Sequence, residues 1–215
     1  MRFRDRAEAG RVLATRLAHL RETKPVVVGL PRGGVPVAAE IAAALDADLD
    51  VVLVRKIGAP HREELAVGAV GEDGVTVRND VVLRELGLTW GDLSKQVARE
   101  REEIRYRAAI LRSGARPDLR DRTVILVDDG IATGATVVAA LRILRHLGAA
   151  RIVLAVPVAP PESLRALAPL ADEIVCPATP KRFSAVGQWY EDFSQVPNDR
   201  VRELLDNYAV GRGTF

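Results

Sequence analysis

Residues 124–136 read VILVDDGIATGAT: four apolar residues, two adjacent acids, and then a loop of small and hydroxylated residues. The apolar run is typical of a strand that is covered on both faces. Asp128 and Asp129 are costly at the edge of an apolar core, and the loop after them has few side chains that could pack. We therefore expect a ligand to bind at the end of this strand.

A strand that leads through a Gly- and Thr-rich turn into a helix directs several backbone N–H groups toward one point, which is how proteins bind phosphate. Small residues allow the anion to approach the backbone, and Thr133 and Thr136 add hydroxyl donors. The two acids cannot bind phosphate, but they suit a pair of ribose hydroxyls or a metal ion held through water. The stretch thus predicts a site for a 5-phosphoribosyl group.

Other phosphate-binding motifs do not fit. A Walker loop has Lys after its last Gly, where this chain has Ala135, and no G-x-G-x-x-G pattern occurs. A plain turn with accidental glycines would leave the two acids unexplained.

Composition indicates a single globular α/β domain over residues 1–215. Hydrophobic residues make up 48% and charged residues 28%, and the formal net charge of +2 gives no reason to expect nucleic acid as a partner. The lone Cys176 excludes an internal disulfide, and the three histidines lack metal-ligand spacing. Without an apolar leader or a membrane-length apolar run, we expect a soluble, cytoplasmic protein that has no membrane partner.

Apolar runs alternate with helical patterns along the chain, which predicts a doubly wound, mostly parallel sheet flanked by helices. The predicted strands are 26–30, 51–54, 124–127, 152–156 and 174–175, with a hairpin formed by 65–70 and 75–78. The predicted helices are 5–21, 35–45, 92–112, 135–147 and 161–169.

The 92–112 helix is the most charged segment. Its arginines are compatible with a surface that faces RNA or another anion. A solvated helix is favoured, because Glu103 and Arg107 have the spacing of a supportive ion pair and the apolar stripe is narrow.

The 124–136 stretch resembles the 5-phosphoribosyl-1-pyrophosphate (PRPP) motif of the type I phosphoribosyltransferases, and the chain is similar to the bacterial group called "putative phosphoribosyltransferase". That group shares the opening F-x-D-R-x-x-A-G and the segments L-P-R-G-G-V-P and V-R-K-I-G-A-P. The resemblance implies that Asp128 and Asp129 contact the ribose hydroxyls and, through water, Mg²⁺. It also implies that the 5′-phosphate lies on the loop formed by Gly130, Ile131, Ala132, Thr133, Gly134, Ala135 and Thr136.

Residues 30–35 (LPRGGV) join a basic side chain to two glycines that open a helix, which suits either an anion-binding turn or an ordinary turn. The resemblance implies that Arg32, Gly33 and Gly34 bind pyrophosphate and that the peptide between Pro31 and Arg32 is cis. Arg55 and Lys56 end the predicted second strand as either surface cations or, by resemblance, pyrophosphate ligands. Lys56 and Arg32 are the expected catalytic residues.

Residues 57–64 (IGAPHREE) are predicted to form a mobile loop, and the resemblance implies that it covers the site and excludes water. His61 within it is either a catalytic residue or a solvated one, and the second is the commoner case.

Residues 180–193 concentrate aromatic side chains in a chain that is only 4% aromatic. They form either a stacking surface or packing for the C-terminal segment. The resemblance implies a core of residues 23–177 and a hood at 178–200, packed with the 5–21 helix, in which Phe183 and Trp189 stack on a nucleobase. Ala132 stands where hypoxanthine-guanine enzymes carry an Asp, which argues against a 6-oxopurine acceptor.

The resemblance therefore predicts a Mg²⁺-dependent transferase, in a homo-oligomer such as a dimer, that moves a phosphoribosyl group from PRPP to a nitrogenous acceptor and releases pyrophosphate. The alternative is a non-catalytic sensor of PRPP or a nucleotide on the same fold, in contact with RNA through the 92–112 helix. Retention of both the acid pair and the Arg-Lys pair favours the enzyme, but the sequence does not identify the acceptor.

Overall fold

The computed structural model describes residues 1–112, 114 and 116–210. The last five residues of the predicted 1–215 domain lie outside the described residues. Strands occupy β1 (Val26–Gly29), β2 (Asp48–Val51), β3 (Val54–Ala59), β4 (Arg62–Gly71), β5 (Thr76–Arg78), β6 (Thr123–Val127), β7 (Arg151–Ala155) and β8 (Glu173–Val175). Helices occupy α1 (Arg6–Arg16), α2 (Gly34–Leu45), α3 (Asp80–Glu85), α4 (Ser94–Leu111), α5 (Ala135–His146), α6 (Pro161–Leu167) and α7 (Asn198–Val210).

The central sheet has five parallel strands in the order β2-β1-β6-β7-β8, flanked by helices, as the sequence predicted. Strand β1 pairs with β2 on one side and with β6 on the other, so the chain reverses its direction of winding between β1 and β6. In such sheets the loops after the two central strands separate and leave a crevice where ligands bind. Here those loops are the LPRGG turn and the acid-pair loop.

Both faces of the sheet are covered, which explains the continuous apolar runs. Alternate residues of one strand belong to different cores: Ile125 and Val127 pack in the core that includes residues of α2 and α4, whereas Val124 and Leu126 pack in the core that includes residues of α5. Because the side chains of residues 124–127 are all buried, β6 is a rigid support for the loop that follows it.

The predicted 51–54 strand is wrong in position. The parallel strand is β2, Asp48–Val51, and the chain leaves the sheet at Val52 before β3 begins in a second, antiparallel sheet of order β3-β4-β5. Because Asp48 and Asp50 are polar, the sequence of β2 is more typical of a loop than of a buried strand. They are tolerated because arginines from distant segments, Arg122 and Arg112, pair with them.

The expected mobile loop at 57–64 is also different, because it is the end of a β-hairpin. Ile57, Gly58 and Ala59 belong to β3, the chain turns at Pro60 and His61, and β4 begins at Arg62, which pairs with Ala59. The predicted hairpin of residues 65–70 and 75–78 is present as the pairing of β4 with β5. Whether the β3-β4 end covers a bound substrate stays a prediction.

An ionic cluster joins α4 to both sheets. The Arg112 Nε donates to Asp50 at 2.8 Å, its Nη2 donates to the Val51 carbonyl at 2.9 Å, and its Nη1 pairs with Glu72. The side chains of Arg112, Asp50 and Glu72 are each at most 10% exposed. The cluster therefore fixes the hairpin sheet and α4 beside the parallel sheet.

The predicted N-terminal helix divides into α1 and a 3₁₀ turn at Ala18–Thr23, and Leu13, Leu17 and Leu20 of this segment are buried. Helix α7, to which the sequence patterns gave no assignment, packs on α2 through a hydrogen bond from the Tyr208 hydroxyl to the Ala39 carbonyl. Within the described part of the chain, every helix is too short or too polar to cross a bilayer.

Candidate active site

The loop between β6 and α5 has the geometry of an anion site. Gly134 adopts a φ of 78°, a left-handed conformation that favours glycine, and it caps the N-terminus of α5. In the described residues, no hydrogen-bond acceptor is available to the amides of residues 133–136. Thr133 and Thr136 are exposed. Unpaired amides at the positive end of a helix, beside two hydroxyls, suit a phosphate.

Other residues anchor this loop and do not face a ligand. The Ile131 side chain is buried, and its amide donates to the Val158 carbonyl at 2.9 Å. The Ser163 hydroxyl of α6 donates to the Ala132 carbonyl at 2.6 Å. Ile131, which the resemblance placed among the phosphate ligands, therefore has no free amide to offer, and we assign it to the support of the loop.

A cavity of about 520 Å³ lies in front of the loop. Its walls bring together three predicted sets of residues: Thr133, Ala135 and Thr136 of the phosphate loop, Pro31 of the LPRGG turn, and the cations Arg55 and Lys56 at the start of β3. Lys56 and Arg55 therefore border the same space as the phosphate loop although β3 belongs to a different sheet.

Helix α4 forms another wall, with Gln96, Arg99, Glu100, Ile104 and Arg107. The interpretation of this helix as a solvated one was incomplete. The predicted Glu103–Arg107 ion pair is present, at 2.6 Å from Nε to Oε1, and Val97, Ile104 and Leu111 are buried. However, Glu100 and Glu103 also pair with Arg55, at 3.5 and 3.3 Å, so the charged face holds a residue of the cavity in place.

The LPRGG turn has the predicted cis peptide between Pro31 and Arg32. Arg32 does not line the first cavity. It lines an adjoining cavity of about 460 Å³, and Pro31 and Arg107 border both spaces. The expected catalytic residues Arg32 and Lys56 thus line neighbouring cavities that share Pro31 and Arg107.

The acid pair lies against this turn. A Cβ atom on Gly34 would stand 2.6 Å from the Val127 carbonyl oxygen, so only glycine permits the turn to pack on the end of β6. The Asp128 carboxylate accepts a hydrogen bond from the Asp129 amide at 2.9 Å. Burial raises the pKa of Asp128 well above its ordinary value, and the neighbouring charge of Asp129 adds to this effect. Burial also raises the pKa of Asp129, while Arg6 opposes that increase.

Arg6, which the sequence patterns did not single out, contacts the acid pair directly. Its Nε and Nη2 atoms both lie 2.8 Å from Asp129 Oδ2, and its Nη1 donates to the Ser194 carbonyl at 2.8 Å. The guanidinium carbon lies 4.0 Å from the ring centroid of Phe193. Arg6 belongs to the F-x-D-R opening, so the motif was visible in the sequence but its contact was not.

The aromatic segment packs against the N-terminus and reaches the acid pair. The Phe3 amide donates to the Trp189 carbonyl and the Glu191 amide donates to the Phe3 carbonyl, both at 2.8 Å. The Tyr190 hydroxyl donates to the Asp129 carbonyl at 2.6 Å. Tyr190 is therefore a buried packing residue that supports the site.

The two predicted stacking residues are neighbours. The rings of Phe183 and Trp189 are almost parallel, with an interplanar angle of 9° and centroids 6.5 Å apart. The Trp189 indole N–H is buried and has no acceptor among the described residues. Neither ring lines the 520 Å³ cavity, and neither does His61, which is exposed at the hairpin turn.

Metal-binding groups are sparse. The described residues contain no cluster of three or more His, Cys, Asp or Glu side chains with the geometry of a metal site. Mg²⁺ commonly binds through one or two carboxylates, with water and substrate phosphates as its other ligands. Asp128 and Asp129 fit that more open kind of site.

Comparison with known protein families matches residues 5–188 to the phosphoribosyl transferase domain. Two Mycobacterium tuberculosis proteins are each 50% identical over 205 residues, which cover 95% of this chain: "Putative phosphoribosyl transferase MT0597" of strain CDC 1551 and "Putative phosphoribosyl transferase Rv0571c" of strain H37Rv. These residues are 46% of each relative, so the chain spans about half the length of the curated relatives that it matches. The crystal structure of TT1426 from Thermus thermophilus is similar over 97% of this chain and 99% of that chain, with 46% identity and a TM-score of 0.91.

Proposed function

Because the chain belongs to the family of phosphoribosyl transferase domains, we propose that it transfers a 5-phosphoribosyl group from PRPP to a nitrogenous acceptor and releases pyrophosphate. The observation that carries this proposal is the 520 Å³ cavity, in which the helix-capping loop faces Arg55 and Lys56. One end of the cavity suits a phosphate monoester and the other suits a second, more highly charged phosphate group. PRPP has both.

The ribose 5-phosphate would lie on the amides and hydroxyls of residues 133–136, with the ribose hydroxyls against Asp128 and Asp129. The same carboxylates would hold Mg²⁺ through water, and the ion would supply positive charge to the oxygens of ribose and pyrophosphate. Fixing the ribose phosphate at a rigid helix terminus keeps carbon 1 at one position relative to the acceptor, which lowers the entropy cost of the reaction.

In the transfer, the bond from carbon 1 to the pyrophosphate oxygen breaks and a bond to the acceptor nitrogen forms. Positive charge develops on the ribose ring and negative charge on the departing pyrophosphate. Lys56 and Arg55 lie where they can stabilise the departing anion, and Arg32 borders the adjoining space. The hairpin end at 57–64 is the segment that we propose to exclude water while the ribose is reactive.

The acceptor would be planar and would stack on Phe183 or Trp189. The nearly parallel rings of Phe183 and Trp189 support this assignment, because adjacent aromatic side chains favour contact with a planar group. We further propose that the protein acts in the cytoplasm as a homo-oligomer.

The proposal is tested by measuring pyrophosphate release from PRPP and Mg²⁺ with a panel of nucleobases and simple amines. Lys56→Ala is the matched inactive variant, because it retains the proposed phosphate loop and acid pair. An acceptor that supports release with the wild-type protein and much less with the variant would support the transferase. PRPP binding without release for any acceptor would instead indicate a sensor.

A further inference from the structure

The contact between Arg6 and the acid pair extends the site beyond the motif at 124–136. We propose that Arg6 is a positioning residue, which holds the Asp129 carboxylate in the orientation that receives a ribose hydroxyl of PRPP. This inference rests on the proposed function, because it assigns the acid pair to the ribose.

The pairing leaves one carboxylate oxygen available. Both Arg6 contacts, from Nε and from Nη2, go to Oδ2 of Asp129. Among the described residues, no side chain donates a hydrogen bond to Oδ1 of Asp129. An arginine that occupies one oxygen through two nitrogens restrains the rotation of the carboxylate and leaves the second oxygen to accept a hydrogen bond from a ligand.

Arg6 also offsets the negative charge of the acid pair, which is costly because the pair is largely buried. The side chains of Arg6 and Asp129 are 11% and 15% exposed, and Asp128 adds a second carboxylate next to the first. Two acids this close disfavour each other's ionised forms. A cation bound on the side of Asp129 keeps the pair available to hydroxyl donors.

Arg6 is held by groups other than Asp129, so its position does not depend on the acid alone. Phe193 covers one face of the guanidinium, and the Ser194 carbonyl accepts from its third nitrogen. Asp5 accepts a hydrogen bond from the Glu8 amide and so fixes the start of α1, while Phe3 is buried against Tyr190. These contacts account for each of the first three named residues of the F-x-D-R opening.

The experiment measures PRPP binding by calorimetry in the presence of Mg²⁺ for the wild-type protein and for Arg6→Ala, Arg6→Lys and Arg2→Ala. Arg2 is the matched control, because its Nε and Nη2 donate to the Tyr190 carbonyl and thus dock the same N-terminal segment without touching the acids. We expect Arg6→Ala to weaken binding by about tenfold or more, as is typical when one partner of a buried charge pair is removed.

Arg6→Lys should bind with intermediate affinity, since its ammonium supplies the charge but cannot place two nitrogens against Oδ2 of Asp129. Arg2→Ala should bind as the wild type does. Guanidinium ion at millimolar concentration should restore part of the affinity of Arg6→Ala, by occupying the space between Phe193 and Asp129, and should leave the wild type unchanged.

Unchanged affinity in Arg6→Ala would overturn the inference, and so would tighter binding, which would mean that Arg6 occludes the acids. An equal loss in Arg2→Ala would show that Arg6 acts only by docking the segment. If Arg6→Ala does not fold, Arg6→Lys decides the question, because wild-type affinity in that folded variant would contradict the assignment. Failure of the wild type to bind PRPP would overturn the proposed function as well, which distinguishes the two failures.

Discussion

The carboxylate of Asp129 lies against the backbone of Gly33, so closely that a Cβ atom on Gly33 would stand 1.9 Å from Asp129 Oδ2. The turn proposed for pyrophosphate and the acid proposed for ribose are therefore one packed unit, although 96 residues separate them in the sequence. A change in the position of either residue must displace the other.

Gly33→Ala should weaken PRPP binding by about tenfold or more, because the added methyl group displaces the Asp129 carboxylate from its contact with Arg6. Calorimetry with Mg²⁺ present measures the effect. Gly91→Ala is the control, since a Cβ atom there meets nothing closer than 3.5 Å and should leave binding unchanged. Wild-type affinity in Gly33→Ala would show that the close contact does not matter for the ligand.

Asp128→Asn should raise the melting temperature near pH 7 while it weakens PRPP binding. Because the folded pKa of Asp128 is raised, its ionised form opposes folding above that pKa, and the penalty disappears below the ordinary aspartate pKa of 3.8. The side-chain carbonyl of the asparagine can still accept the hydrogen bond from the Asp129 amide. The gain in stability should therefore vanish as the pH is lowered to about 3. Thermal melts across this range test the expectation, and a lower melting temperature at pH 7 would contradict it.

Lys56→Ala should reduce the rate at saturating substrate more than it reduces PRPP affinity. The charge of Lys56 is most useful when pyrophosphate departs, so its loss falls on the transition state. Steady-state kinetics and calorimetry separate the two effects, and Lys95→Ala on the exposed side of α4 serves as the control. A pure loss of affinity would assign Lys56 to docking.

Hypoxanthine and guanine should be poor acceptors. Ala132 is exposed at the phosphate loop and offers no carboxylate to manage a proton on a 6-oxopurine, a contribution worth about 10²–10⁴ in rate. Assays for inosine and guanosine monophosphate test this expectation.

Phe183→Ala combined with Trp189→Ala should weaken the binding of any planar acceptor. Full activity in the double variant would contradict the stacking assignment.

Arg112→Leu should lower the free energy of unfolding by about 3 kcal/mol, because it leaves Asp50 and Glu72 buried without their main partner. Chemical denaturation measures the change. Arg202→Ala, which removes an exposed pair with Asp199, should leave the unfolding midpoint unchanged. An Arg112→Leu variant as stable as the wild type would mean that the cluster does not stabilise the junction of the two sheets.

Local sequence patterns were sufficient to predict most of the fold. Buried parallel strands must be apolar on both faces, so the runs at 124–127 and 152–156 could be recognised without tertiary information, as could the helix that follows Pro160. The proposed phosphate loop could also be recognised from the sequence, because small residues leave its backbone amides accessible. Strand β2 was misplaced, since the partners that allow its two acids lie about 60 or more residues away.

By itself, then, the sequence determined the parallel sheet, the loop at its edge and the acid pair, because each depends on chemistry within a few consecutive residues. Only the tertiary structure decided that Arg6 holds Asp129, that α4 borders the cavity and that Arg32 and Lys56 line different spaces. Those relationships depend on packing between distant segments. A charged residue is the same in the sequence whether its side chain faces water or a buried carboxylate. Its role depends on where it is buried, and only the tertiary structure shows that.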